Sequence, residues 1–138
     1  MTANRHYIPL YGLWIGFELL AKISGSPLGA SLSNLLEQTA GRLVGQLEVE
    51  ASRSSLTPQA AALLTLASLS AGCPSPARDL FNPRWLTILC KTQRYDGSWA
   101  DEPLFGTPTR GELATWYSSR SVTTAYCYHA LKSYQRLP

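Results

Sequence analysis

The sequence predicts an all-α fold of about five helices, and three observations carry that expectation. Apolar residues recur at helical spacing through most of the chain. No stretch alternates β-branched and polar residues for long enough to make a sustained strand. Helix starts are also spelled out at Thr57-Pro58 and Asn82-Pro83, where a capping side chain precedes a proline whose missing N–H costs nothing in the first turn.

The first segment, Tyr7 to Ile23, is the most apolar. Leu10, Leu13, Trp14, Phe17, Leu20 and Ala21 form one helical stripe, and Ile15, Leu19 and Ile23 form a second on the far side. Two apolar faces need two covers, so beyond its place in the core this helix also suits a subunit contact or a membrane surface. Glu18 and Lys22, at i,i+4, separate the stripes and argue against a spanning segment, which needs about 20 uncharged residues. A thin basic start and the lack of a small-x-small cleavage site argue against a signal peptide.

Gly25-Ser26-Pro27-Leu28-Gly29 reads as a turn. Leu32, Leu35, Leu36, Ala40, Leu43 and Leu47 then mark an amphipathic helix to about Glu50, with Glu37, Arg42, Glu48 and Glu50 on a solvated face. After a loop at Ser52 to Ser55, the helix capped by Thr57 is apolar all round and rich in alanine as far as Gly72, which calls for burial on every side. Cys73-Pro74-Ser75-Pro76 is a stiff linker. A further helix runs from Asn82 to about Thr92, and Asp101 to Tyr117 comes next as a long loop with two prolines and two glycines. The last helix, Ser119 to Leu131 and onward, sets Val122, Tyr126, Cys127, Ala130, Leu131 and Tyr134 on one side and His129, Lys132 and Arg136 on the other.

With 138 residues and 45% hydrophobic content the chain is one domain, able to bury about two-thirds of its unfolded surface. Its charged fraction of 15% is low against an average of about 25%, a sign that some surface is covered by a partner, a lipid or a second copy. The net charge is +3 with scattered basic residues, which gives nucleic-acid binding no support. Cys73, Cys90 and Cys127 have no metal-ligand spacing, and the latter two sit inside helices as small hydrophobes, so a reducing cytoplasm is the natural compartment. Cys127-Tyr128-His129 lacks a second ligand segment, so neither a metal nor a cofactor is expected.

The chain is organised around Gln93-Arg94-Tyr95-Asp96-Gly97-Ser98-Trp99, the joint between two helices. Asp96-Gly97 is a turn in which Gly supplies positive φ, and Gln93 and Trp99 flank it as an amide and an indole able to stack as a staple, the amide satisfying orphan groups at a helix end. A helix ending in Gln93, then Asp96-Gly97-Ser98-Trp99, a loop, and a helix carrying Thr124, Ala130 and Leu131 resembles the QW repeat of squalene-hopene cyclases and of related prenyltransferase and terpene-cyclase α-helical barrels. Trp85-Leu86 also matches the repeat. Glu102-Pro103-Leu104-Phe105-Gly106 and Trp116 with Ser121-Val122-Thr123-Thr124-Ala125 resemble the segment that often comes after the repeat near the cyclase C-terminus.

The resemblance implies α-α hairpin repeats of the α/α-barrel type, here a partial barrel because a full one needs several times this length. Residues 77–138 hold the QW-type repeat. Residues 1–72 hold a degenerate copy, where Gln46 and the Thr57–Leu64 spacing echo Gln93 and Thr124–Leu131.

Two functional expectations arise from this. The first is a small terpene-cyclase-like enzyme that cyclises or isomerises a hydrophobic substrate in an aromatic pocket between the last helix and the 101–117 loop. Glu112, Asp101 and Glu102 are the candidate acids, Phe105, Trp116, Tyr117, Tyr126 and Tyr128 the aromatic lining, and Arg110 and Arg120 the holders of an anionic group. Gln93, Asp96, Gly97 and Trp99 are structural. The Asp-x-Asp-Asp and Asp-rich diphosphate signatures of the cyclases are absent. The second is a non-catalytic barrel fragment that binds a hydrophobic small molecule, pairs with itself as a homo-oligomer, or docks on a larger partner enzyme. The length of the polar and aromatic loop favours the enzyme.

Overall fold

The computed structural model describes residues 7–53, 55–70, 72, 74, 78–108 and 114–137. In chain order these form helices α1 (Tyr7–Ser24), α2 (Leu28–Ser31), α3 (Ser33–Ala51), α4 (Pro58–Ser68) and α5 (Pro83–Thr92), strands β1 (Pro103–Pro108) and β2 (Ala114–Ser118), and helix α6 (Arg120–Gln135). Among the described residues the all-α expectation holds for the buried hydrophobic core, which the helices supply apart from Trp99.

Both caps expected from the sequence are made. Thr57 accepts the Ala60 N–H at 3.2 Å and Asn82 accepts the Arg84 N–H at 2.9 Å, each with its proline in the first turn. Helix α4 is the centre of the molecule, for Gln59 to Ser68 are all buried. Its polar side chains are satisfied inside the helix or near it: Thr65 and Ser68 donate to the carbonyls of Ala61 and Leu64, both at 2.9 Å. Burial therefore leaves neither hydroxyl without a partner, and the alanines let neighbours approach closely. Helices α1, α5 and α6 pack around α4, while α3 packs chiefly on α1.

This arrangement differs from the paired hairpins that the repeat implied, because α5 and α6 each lie on α4 as their main partner and α3 leans on α1 more than on α4. A helix apolar on every face attracts every amphipathic neighbour, which overrides pairing by sequence order.

Helix α1 buries Leu10, Leu13, Phe17 and Leu20. A side chain at Gly16 would sit 3.0 Å from Leu43, so that glycine sets how near α3 comes. The second stripe is covered only in part: Ile15 and Ile23 are half-buried and Leu19 is 53% exposed. Gly72 presses its backbone on α1, where an added Cβ would collide with the Phe17 carbonyl oxygen. Glu50, expected on the solvated face of α3, is instead buried and paired with Arg53 at 2.9 Å.

The 101–117 segment, expected as a loop, contains an antiparallel ribbon. Phe105 lies opposite Tyr117, Gly106 opposite Trp116 and Thr107 opposite Thr115. Thr115-Trp116-Tyr117 favour extended backbone, and the prolines that suggested a loop are tolerated in a two-stranded ribbon where every strand is an edge. Strand β1 also contacts α1. Among the described residues no helix is long and apolar enough to cross a membrane.

Leu64, fully buried in α4, is expected to lose about 2–5 kcal/mol of stability on change to Ala, read from the denaturant midpoint. Gly72→Ala is expected to lower the midpoint too, since neither backbone in that contact can yield without moving α1.

Candidate functional site

The joint between α5 and α6 is built from backbone needs upward. Gln93 ends α5, and Gly97 turns the chain at φ +87°, a conformation other residues rarely adopt. The Arg94 N–H donates to the Ser98 carbonyl at 2.8 Å, closing the turn. Trp99, 1% exposed, donates its indole N–H to the Leu89 carbonyl at 3.0 Å, a second donor on an oxygen that already accepts the Gln93 N–H at 3.1 Å, and so pins the indole to the end of α5. The Gln93 amide, expected to satisfy orphan groups at a helix end, instead spans the turn to the Gly97 carbonyl at 3.0 Å. On the far side the Trp99 N–H donates to Thr124 Oγ1 at 3.1 Å, which ties the joint to α6.

Asp96 braces the same turn. Its Oδ1 accepts from the Ser98 N–H at 3.0 Å and the Ser98 hydroxyl at 2.7 Å, and its Oδ2 accepts from Arg120 at 2.8 Å. The Ser98 hydrogen bonds, aided by Arg120 and Arg94, hold the Asp96 carboxyl below its ordinary value of 3.8. Arg120 also donates to the Ser98 hydroxyl, so its guanidinium is engaged in bracing.

A second constellation lies where the first turn of α4 enters the core at Gln59. Glu102 accepts the Gln59 N–H at 2.8 Å, an N-terminal cap delivered from 43 residues away. The Gln59 amide donates to the Pro103 carbonyl at 3.2 Å and accepts from the Thr123 hydroxyl at 2.7 Å, and Thr123 accepts from the Glu102 N–H at 3.3 Å. These residues form a closed ring that joins α4, β1 and α6. Beside it Cys127 is buried near the Pro58 carbonyl, and burial together with the Glu102 charge pushes its thiol up to about 12, so it remains protonated at neutral pH.

The candidate residues are thus dispersed. Asp101 accepts from the Ser118 hydroxyl at 2.6 Å, which holds its carboxyl below the ordinary value. That shift is opposite to what a proton donor near neutral pH needs. Glu102 is a cap. Glu112 and Arg110 lie outside the described residues, and for Phe105, Trp116 and Tyr117 only the backbone is described. Tyr126 faces α1 rather than a pocket mouth, 6.1 Å from Tyr11 and 6.0 Å from Trp14 between ring centres. Tyr128 is exposed, with Lys132 over its ring, and lines an open hollow with Ser98, Arg120, Ser121, Thr124 and Ala125.

No sequence pattern pointed to one apolar hollow among the described residues. Between α1 and α3 a groove of about 540 Å³ is lined by Leu20, Ala21, Leu36 and Ala40, bordered by Gly72 and Pro74, with Ser24 and Glu37 as its polar side chains. The link between Gln59 and Thr123 is likewise absent from the sequence expectations. A glutamine at the start of a wholly apolar helix is the available signal, since a buried amide requires partners. No protein-family model matches the chain, and no curated protein and no solved structure matches it either.

Trp99→Ala is expected to cost about 3 kcal/mol or more through the cavity it leaves, measured by chemical denaturation. Because the Asp96 carboxyl is lowered by folding, its contribution is complete above 3.8 and is lost as pH falls through the lowered value. Asp96→Asn should therefore flatten the fall in melting temperature between about pH 4 and about pH 2 relative to the unaltered chain.

Proposed function

We propose that the chain is a non-catalytic hydrophobe-binding module, a reduced relative of the α/α barrels in which the QW-like joint closes the core and the α1–α3 groove takes an apolar small molecule. The observation that carries this reading is the groove itself. Its volume of about 540 Å³ falls in the range of small-molecule sites, and its lining is aliphatic with polar groups confined to Ser24 and Glu37. Small side chains at Ala21 and Ala40 leave room for a chain-like ligand, and Glu37 suits a hydroxyl at one end of it.

The carboxylates favour binding over catalysis. Asp101 and Glu102, two of the three candidate acids, are committed to Ser118 and to the start of α4. Acid-initiated cyclisation needs a carboxyl raised by an apolar pocket, and Asp101 is shifted the other way.

The test is calorimetric titration of the purified protein with farnesol as an apolar, hydroxyl-ended probe. Saturable binding of roughly micromolar affinity is expected, lost in Ala40→Trp, which fills the groove, with retention of the fold checked by circular dichroism. Equal affinity in the two proteins would reject the groove as the site. Conversion of the bound compound, abolished by Glu112→Gln, would replace binding by the terpene-cyclase-like activity.

A further inference from the structure

A second hollow has the opposite chemistry. At the junction of the α3 C-terminus with the α5 N-terminus lies a cavity of about 430 Å³, more enclosed than the α1–α3 groove, whose polar lining includes Arg53, Arg84, Ser55 and Asn82. Among the described residues, none that lines it carries a carboxylate.

Arg53 is held in place there. The buried Glu50 accepts from its Nε at 2.9 Å and from its Nη2 at 3.5 Å, which fixes the guanidinium at the cavity while balancing its charge. Arg84 makes no ion pair among the described residues, so one positive charge is left uncompensated. Asn82 uses its carbonyl oxygen in the α5 cap, which leaves its amide hydrogens for another acceptor. The donors therefore outnumber the acceptors that face them.

Ser52 adds a further hydroxyl, and the apolar part of the lining comes from Ala51, Leu56, Trp85 and Ile88. A volume of about 430 Å³ has room for an organic group beside an oxyanion. We infer that this cavity is a binding site for an organic carboxylate, whose anionic end meets Arg84 and the free edge of Arg53 and whose apolar body lies against Leu56 and Ile88. A monoanion matches the single uncompensated charge, and the guanidinium fork suits the two oxygens of a carboxylate. The cavity shares no lining residue with the apolar groove between α1 and α3, so the two sites stand or fall separately.

Benzoate is a suitable probe, followed by amide chemical shifts in the full chain at low ionic strength, with neutral benzamide as its counterpart of the same shape. Benzoate is expected to saturate with shifts at Ser55, Arg84 and Ile88, and Arg84→Gln to weaken it by about tenfold. Arg42→Gln, on an exposed part of α3 outside this cavity, should leave the affinity unchanged. Because Arg84 is exposed, its variant should keep the melting temperature of the unaltered chain. Failure of benzoate to bind, equal binding of benzamide, undiminished affinity in Arg84→Gln, or an equal loss in Arg42→Gln would each overturn the inference.

Discussion

The first turn of α4 enters the core at Gln59, whose side chain is fully buried, and its N–H groups need acceptors. A buried amide left unbonded costs about 1–3 kcal/mol. Thr57 serves one N–H from within the chain's local sequence, and Glu102 serves another from beyond the Gln93–Trp99 joint. The rest of the architecture depends on that need. Glu102 reaches α4 only if the joint delivers β1 to the right place, and the joint holds its shape through Trp99 on Leu89 and Thr124. Helix α6 then completes the ring through Thr123.

The same constraint assigns work to the acidic residues. Glu102 is engaged as the acceptor of the Gln59 N–H at the start of α4. The Asp96 carboxylate, beside an arginine and a serine in a tight turn, is stabilised in its charged form. Charge stabilisation suits architecture and works against proton donation. The acidic residues around the joint are therefore best understood by the backbone groups and hydroxyls they hold.

Features encoded locally were readable in the sequence. The caps at Thr57 and Asn82, the turn at Gly97 and the burial of α4 each rest on neighbouring residues whose spacing or conformation is diagnostic. The ribbon was hidden because Pro103 and Pro108 mark a loop by composition, whereas in a two-stranded ribbon they occupy positions that need no ladder donor. The Gln59 partners were hidden for a different reason: Glu102 and Thr123 stand 43 and 64 residues away, and no periodicity records a hydrogen bond of that span. The α1–α3 groove arises from the relative placement of two helices and the nearby Gly72, which hydropathy along one helix does not encode. Of the candidate site, Arg120, expected to hold an anionic group of the ligand, is taken by the Asp96 carboxylate and the Ser98 hydroxyl of the joint, while Tyr126 was drawn to α1 by the rings of Tyr11 and Trp14.

The cap that Glu102 gives to α4 has a consequence for the order of events during synthesis. When the ribosome has released α1 to α4, the most deeply buried helix of the protein still lacks the acceptor for its Gln59 N–H and the surfaces of α5 and α6 that cover it. The nascent N-terminal half therefore covers α4 chiefly on the side that meets α1 and leaves the sides that meet α5 and α6 bare. Its contacts are long in sequence, so closure waits for the chain beyond Thr123 and commits all the helices together. Until then α4 presents a sticky alanine and leucine surface of the kind that chaperones recognise on emerging chains.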